Sequence, residues 1–236
     1  MKQKIIGPDC FENSKQKELF EREYLEFLKT KVGNESCYYQ QFLICQFKKG
    51  DRILDYGCGP GGLFKLLKLN FSSIHLYGCD INKEIIKNNL KDPQIKDVDF
   101  SLVKSGQKTK FKNSFFNTVF LLDVIEHSQK PEDIFKEIRR IVKKNGKLIL
   151  NTPDRLSIVL DPKFYGSIFN FFPFNIKRPL GKVYMEYTHK REFSYVEIKK
   201  ILEKNGFKII NTNRKDFWSK IPWFYRGSIK IVAEKA

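Results

Sequence analysis

The strongest constraint on this chain is one octapeptide, Asp55-Tyr56-Gly57-Cys58-Gly59-Pro60-Gly61-Gly62, which follows the apolar run Arg52-Ile53-Leu54 and precedes the amphipathic stretch Leu63–Leu69. A strand that runs into a glycine-rich turn and then a helix opens a βαβ unit, and the turn sets backbone N–H groups and a helix N-terminus against a ligand. Glycine permits the positive φ values and the close main-chain approach that such a turn needs. The alternation continues downstream. Short apolar runs around residues 73–80, 98–103, 117–123, 147–152, 207–212 and 228–235 complete seven predicted strands. Between them the spacing predicts helices over Gly62–Leu69, Asn82–Leu90, Pro131–Lys144 and Tyr195–Lys204, the third with proline in its first turn. Upstream, Leu19, Phe20, Tyr24, Phe27 and Leu28 fall at helical spacing within residues 14–30, so the chain is expected to open with helices.

At 236 residues the chain suits one α/β domain, divided as an N-terminal helical segment (1–50), a ligand-binding core (51–154), an insert (155–193) and the last part of the sheet (194–236). Its five cysteines are odd in number and form no CxxC pair, which argues against a disulfide framework or a zinc site. No stretch reaches the length of a spanning helix and the N-terminus lacks a signal-like apolar core, so the expected location is cytoplasmic. The 44 Lys+Arg against 27 Asp+Glu give +17, concentrated late in the chain. A field of that sign favours anionic partners: nucleic acid, an anionic membrane or a phosphorylated substrate.

Gly57, Gly59 and Gly62 satisfy the dinucleotide spacing GxGxxG, which alone is a weak signal. Asp55 changes the balance. A carboxylate two positions before the first glycine repels a pyrophosphate, whereas the amino group and sulfonium of S-adenosylmethionine favour one. A nicotinamide protein therefore ranks last.

Four blocks in order, RILDYGCGPGG, LYGCDINKEII, SFFNTVFLLDVIEHSQKPEDIFKEIRRIVKKNGKLILNTPD and HKREFSYVEIKKILEKNGF, resemble the class I S-adenosylmethionine-dependent methyltransferases over about residues 50 to 212. The nearest likeness is to the small-molecule branch that includes the ubiquinone-biosynthesis O-methyltransferases. The resemblance implies a Rossmann-like seven-stranded, mostly parallel sheet with helices on both faces and an antiparallel last strand. It places Asp55, Gly57, Cys58, Gly59 and Gly61 around the methionine and ribose of the cofactor, Asp80 on the ribose hydroxyls, and Ile81 on the adenine. Where the family commonly has an acidic residue for the adenine amino group this chain has Ser105, followed by Gly106; both are kept as adenine contacts. Asn117 likewise replaces a usual Asp, at a position expected to be structural.

On the acceptor side, Asp123, Glu126 and His127 follow the fourth strand, where open α/β sheets bind ligands. Asp123 is counted with the cofactor residues and Glu126 and His127 as catalytic. An imidazole titrates near working pH, so His127 is the candidate base for an acceptor hydroxyl; the other reading of His127 is a bond to loop backbone. The same three residues have the chemistry of a weak divalent site, but no metal ligand is assigned. The block Thr188-His189-Lys190-Arg191-Glu192-Phe193-Ser194 matches the H-x-R-E-F block of the family it resembles; either its basic side chains meet an acidic acceptor, or Ser194 caps and Phe193 staples the following helix.

The insert carries Phe164, Tyr165, Phe169, Phe171, Phe172 and Phe174 ahead of Lys177, Arg178 and Lys182. Such a segment, across 155–187, suits a substrate lid, contact with an anionic membrane, packing on the sheet, or stacking of nucleic-acid bases beside a basic groove. The leading expectation is methyl transfer to an oxygen of a small or lipid-linked acceptor. The alternatives are an RNA methyltransferase, disfavoured by DVIEH after the fourth strand, and a non-catalytic S-adenosylmethionine-binding protein.

Overall fold

The computed structural model describes residues 47–104, 107–155, 191–212 and 228–236. The expected N-terminal helices, the aromatic insert, Ser105 and Gly106 lie outside the described residues. Seven strands, β1 (Arg52–Tyr56), β2 (His75–Asp80), β3 (Asp99–Leu102), β4 (Phe116–Leu122), β5 (Val142–Pro153), β6 (Phe207–Thr212) and β7 (Ser228–Lys235), form one sheet in the order β3-β2-β1-β4-β5-β7-β6. The pairs from β3 to β5 are parallel. β7 runs antiparallel to both β5 and β6, so the expected reversal of the last strand is present.

Alternation along the strands explains why both faces are covered. Leu54, Val119, Leu121, Leu148 and Leu150 point into one cluster with Phe135 and Ile138 of α3 (Pro131–Ile141) and Ile198 and Leu202 of α4 (Tyr195–Lys204). Ile53, Phe120, Leu122 and Ile149 point the other way, onto Leu63 and Leu67 of α1 (Gly62–Asn70). A third cluster joins Phe64 of α1 to Ile86 of α2 (Lys83–Lys91). With both faces buried, β1, β4 and β5 read as near-continuous apolar runs. Each fully buried Leu, Ile or Phe contributes about 2–3 kcal/mol.

The ends of the helices follow local chemistry. Asn82 caps α2 by accepting from the N–H groups of Glu84 and Ile85. α3 starts with Pro131 and acidic residues and ends with Arg139 and Arg140, which complements its dipole. It stops at Ile141, three residues earlier than the sequence pattern predicts, because Val142 joins the ladder opposite Phe116. Residues 143–146 are then displaced as a bulge before Lys147 pairs with Thr118.

Candidate functional site

The glycine turn lies between β1 and α1, at the edge where the parallel strands end. Gly57 adopts φ 83° and its N–H donates to the Cys79 carbonyl at 2.7 Å, tying the turn to the end of β2. A Cβ at Gly57 would stand 2.4 Å from Val124 Cγ2 and one at Gly61, at φ 80°, 2.4 Å from Ile95 Cδ1, so these two glycines serve packing as well as backbone conformation. Gly59 differs. At φ 48° its missing Cβ would meet nothing within 4 Å, which makes it the open position of the turn. No side chain caps α1 and its first turn has no acidic residue, so its N-terminal dipole is left available to a polar ligand.

Two buried carboxylates flank this turn. Asp80 accepts from the Gly59 N–H through Oδ2 at 3.0 Å and from the Asn82 N–H through Oδ1 at 2.8 Å. Asn89 donates to the Gly59 carbonyl at 2.8 Å, so the peptide is held from both sides. Asp80 thus braces the turn, while the capping role belongs to Asn82. Burial raises the Asp80 carboxyl above its ordinary range, against the bonds from Asn82 and Gly59. Asp55 is 3% exposed; burial, and then Asp80, push its carboxyl up to about 8. Burial also raises the Cys58 and Cys79 thiols, which fits inert packing groups rather than nucleophiles. Ile81 is half-buried beside Asp80.

On the other side of the turn, the chain leaves β4 through Asp123, which takes φ 53°. Its N–H donates to the Asn151 carbonyl at 2.9 Å and its Oδ1 accepts from Asn151 Nδ2 at 2.6 Å, so β5 dictates this strained position. The 3-10 turn Ile125–His127 follows. Glu126 is completely buried: Oε2 accepts from Thr152 Oγ1 at 3.0 Å and Oε1 has no hydrogen-bond partner. Burial, with Asp123 second, raises its carboxyl well above the ordinary range. Glu126 therefore points into the sheet edge, whereas His127 beside it is half-buried at the surface of the turn. Among the described residues no three of His, Cys, Asp or Glu gather at metal-binding spacing.

Of the block 188–194, residues 188–190 lie outside the described residues; in Arg191–Ser194 the expected helix cap and staple are present. Ser194 and Glu197 form a reciprocal capping box on α4, and Phe193 is fully buried. Glu197 also receives Arg155 Nη2 at 3.0 Å and Arg191 Nη2 at 3.1 Å; against the cost of burial, the bonds from the Ser194 N–H and hydroxyl, and then those from the two arginines, hold its carboxyl down at about 2. The Arg191 N–H donates to the Glu126 carbonyl at 3.2 Å, which fastens this anchor to the 3-10 turn. Arg191 and Glu192–Ser194 thus organise α4. Asn117 is structural as well, since its Oδ1 accepts from the Arg52 N–H and from Lys143 Nζ.

The pattern of residue types missed several contributors. Thr152, Asn151 and Arg155 act through partners 26 to 42 positions away, which no local motif announces. Glu197 carried a readable signal, the Ser-x-x-Glu spacing before an apolar run. Two grooves of about 530 Å³ open elsewhere, one along α4 and β6, the other at the starts of β2 and β3. Neither touches the glycine turn; chemistry rather than volume places the site.

Residues 25–212 match the family model described as a methyltransferase domain. An uncharacterized protein of Methanocaldococcus jannaschii is 29% identical over 189 residues, 80% of this chain and 67% of its own length. The malonyl-[acyl-carrier protein] O-methyltransferase of Legionella pneumophila is 32% identical over 102 residues, 43% of this chain and 36% of its own. The chain thus spans between about a third and two thirds of these relatives. In fold it is similar to a crystal structure from Thermotoga maritima described as a SAM-dependent methyltransferase, possible histamine N-methyltransferase, with TM-score 0.62, 21% identity and coverage of 93% and 99%.

Proposed function

Because the chain belongs to the methyltransferase-domain family of S-adenosylmethionine-dependent enzymes, we propose that it moves the cofactor methyl to an oxygen of a small or carrier- or lipid-linked acceptor, in the manner of the ubiquinone-type O-methyltransferases. One observation carries the cofactor half: an open glycine peptide at Gly59 between two buried carboxylates, Asp55 and Asp80. That donor set fits a ligand with a cationic amino-acid end and a vicinal diol. Asp55 would face the amino and sulfonium charge, Asp80 would accept from the ribose hydroxyls while keeping its bond to the Gly59 N–H, and Ile81, Ser105 and Gly106 would meet the adenine. Gly57, Cys58 and Gly61 shape the turn, and Asp123 closes the far side.

When bound, S-adenosylmethionine supplies an already activated methyl group. What remains for the chain is to align the acceptor in line with the methyl–sulfur bond, exclude water and take one proton. His127 is the proposed base, since it is only partly buried and sits in the 3-10 turn that leaves the C-terminal end of β4. Glu126 acts as a positioning residue, holding that turn through Thr152 and Arg191. The oxygen target is supported by the proposed base and by the likeness to the O-methyltransferase of Legionella pneumophila.

Calorimetric titration with S-adenosylmethionine, S-adenosylhomocysteine and NAD tests the first half. Micromolar binding of the first two alone is expected, and NAD-only binding would overturn it. Transfer of a labelled methyl group to hydroxylated or acyl-linked acceptors, with none to RNA, tests the second half.

A further inference from the structure

The buried face of α2 carries a polar residue that the helix itself does not need. Its inward positions are Ile85, Ile86 and Asn89, and Asn89 is 3% exposed. An amide in that place costs desolvation, and asparagine is a poorer helix former than leucine. The compensation lies outside the helix. Asn89 Nδ2 donates to the Gly59 carbonyl at 2.8 Å and, more weakly, to Cys58 Sγ at 3.9 Å. Both contacts fall on the glycine turn, 30 and 31 residues earlier in the chain.

Gly59 needs such an anchor more than the other two glycines with positive φ in the turn. A Cβ at Gly57 or Gly61 would run into Val124 or Ile95, so packing confines those two, whereas among the described residues nothing lies within 4 Å of that position at Gly59. Its φ of 48° is therefore held by hydrogen bonds rather than by contact. There are two, one on each flanking peptide. The Cys58–Gly59 peptide gives its N–H to Asp80 Oδ2 at 3.0 Å. On the Gly59–Pro60 peptide the proline has no N–H, so the carbonyl is the one polar handle, and Asn89 holds it. The other N–H groups of residues 57–61 are engaged inside the fold: Gly57 and Cys58 on the Cys79 carbonyl, Gly61 on the Cys58 carbonyl.

We propose that Asn89 is a positioning residue for the cofactor, fixing the Gly59–Pro60 peptide so that the turn is set before S-adenosylmethionine arrives. The inference rests on the cofactor reading given above, in which Gly59 and Asp80 meet the ribose and methionine. There Asp80 accepts from the ribose hydroxyls while keeping its bond to Gly59, so its hold on the turn is shared with the ligand. The Asn89 bond is made wholly within the chain and leaves Asp80 able to accept. Without it, Gly59 has no side chain to restrict it and samples the wider φ/ψ space open to glycine, and the cofactor must bear the ordering cost on binding. Asn89 acts through Gly59 and not on the reacting atoms.

Calorimetric titration of the full chain with S-adenosylmethionine and S-adenosylhomocysteine tests it. Asn89→Leu removes the donor at similar volume, Asn89→Ala removes it without adding bulk, and Asn88→Ala makes the same change at the exposed neighbour. Both Asn89 variants are expected to weaken the two ligands about tenfold, the range of one amide hydrogen bond. Asn88→Ala should change affinity less than twofold, and thermal melts confirm folded protein in each. A merely structural asparagine would not be coupled to Gly59. The double variant Gly59→Ala, Asn89→Leu should therefore bind no more than about twofold more weakly than Gly59→Ala alone, since both changes disturb one peptide. Hydrogen exchange of the Gly59 amide should quicken in Asn89→Leu with no ligand present. Parent-like affinity in either folded Asn89 variant, losses that multiply in the double variant, or an unchanged Gly59 exchange rate would overturn the proposal. A parent chain that binds neither ligand refutes the cofactor reading itself, and the role assigned to Asn89 with it.

Discussion

Asp55→Asn isolates the electrostatic design of the cofactor turn. In the folded chain the Asp55 carboxyl is buried and titrates at about 8, against 3.8 as its ordinary value. At pH 7 the unfolded chain carries the anion and the folded chain the acid, so folding takes up a proton. Between those two values the folded state binds more protons, and stability falls as pH rises; the stability is complete below pH 3.8 and lost by about pH 8. The penalty at pH 7 is on the order of 4 kcal/mol at about 1.4 kcal/mol per unit. An amide has no such proton to take up, although burying its NH₂ group returns about 1–2 kcal/mol. The variant should therefore be more stable than the parent at pH 7–8 by about 2 kcal/mol, which for a chain of this size raises Tm by about 4–8 °C. The gain should vanish at pH 4. In the same variant S-adenosylmethionine should bind at least tenfold more weakly, because its cationic end, which would draw the proton off Asp55 and pair with the resulting anion, meets an amide that cannot ionise. Calorimetric melts across pH 4–8, with cofactor titration at pH 7, measure both. A Tm difference that does not change with pH, or a variant less stable than the parent at pH 8, refutes the reasoning.

The remaining predictions concern the turn, the anchor and the base. Gly61→Ala should cost about 2 kcal/mol in a denaturant melt, through its positive φ and its clash with Ile95, whereas Gly59→Ala should cost about 1 kcal/mol or less yet weaken S-adenosylmethionine at least tenfold in calorimetry. Glu197→Gln should destabilise by about 1–2 kcal/mol at pH 7, a figure reduced for its partial exposure. Its carboxyl titrates at about 2 when folded and 4.5 ordinarily, so the stability it supplies is present above pH 4.5 and disappears as pH falls through 2; melts at pH 7 and pH 2 should show the difference only at the former. His127→Ala should leave cofactor affinity unchanged in calorimetry and lower kcat for a hydroxyl acceptor at least a hundredfold below pH 8; unchanged turnover removes it as the base.

Much of the fold was legible from local pattern. All seven strands fall where the apolar runs place them, and α4 matches its predicted bounds, since Ser194 starts it and its apolar spacing fixes its face. The end of α3 was not legible. Val142-Lys143-Lys144 continues a helical pattern locally, and only the pairing of Val142 with Phe116 stops it. The candidate site divides in the same way. Asp55, Asp80 and the glycines are recognisable by spacing, but that Glu126 turns inward to Thr152 while His127 stays at the surface depends on a strand 26 residues away.

The sequence by itself determined the order of strands and helices, the glycine turn and the family, because these rest on periodicity, backbone permissiveness and short spacings along the chain. Tertiary structure alone decided the upward shifts of the Asp55 and Glu126 carboxyls and the anchoring of α4 by Arg155 and Arg191. Desolvation and Coulomb energy depend on which groups the sheet brings together, and those groups lie tens of residues apart in the chain.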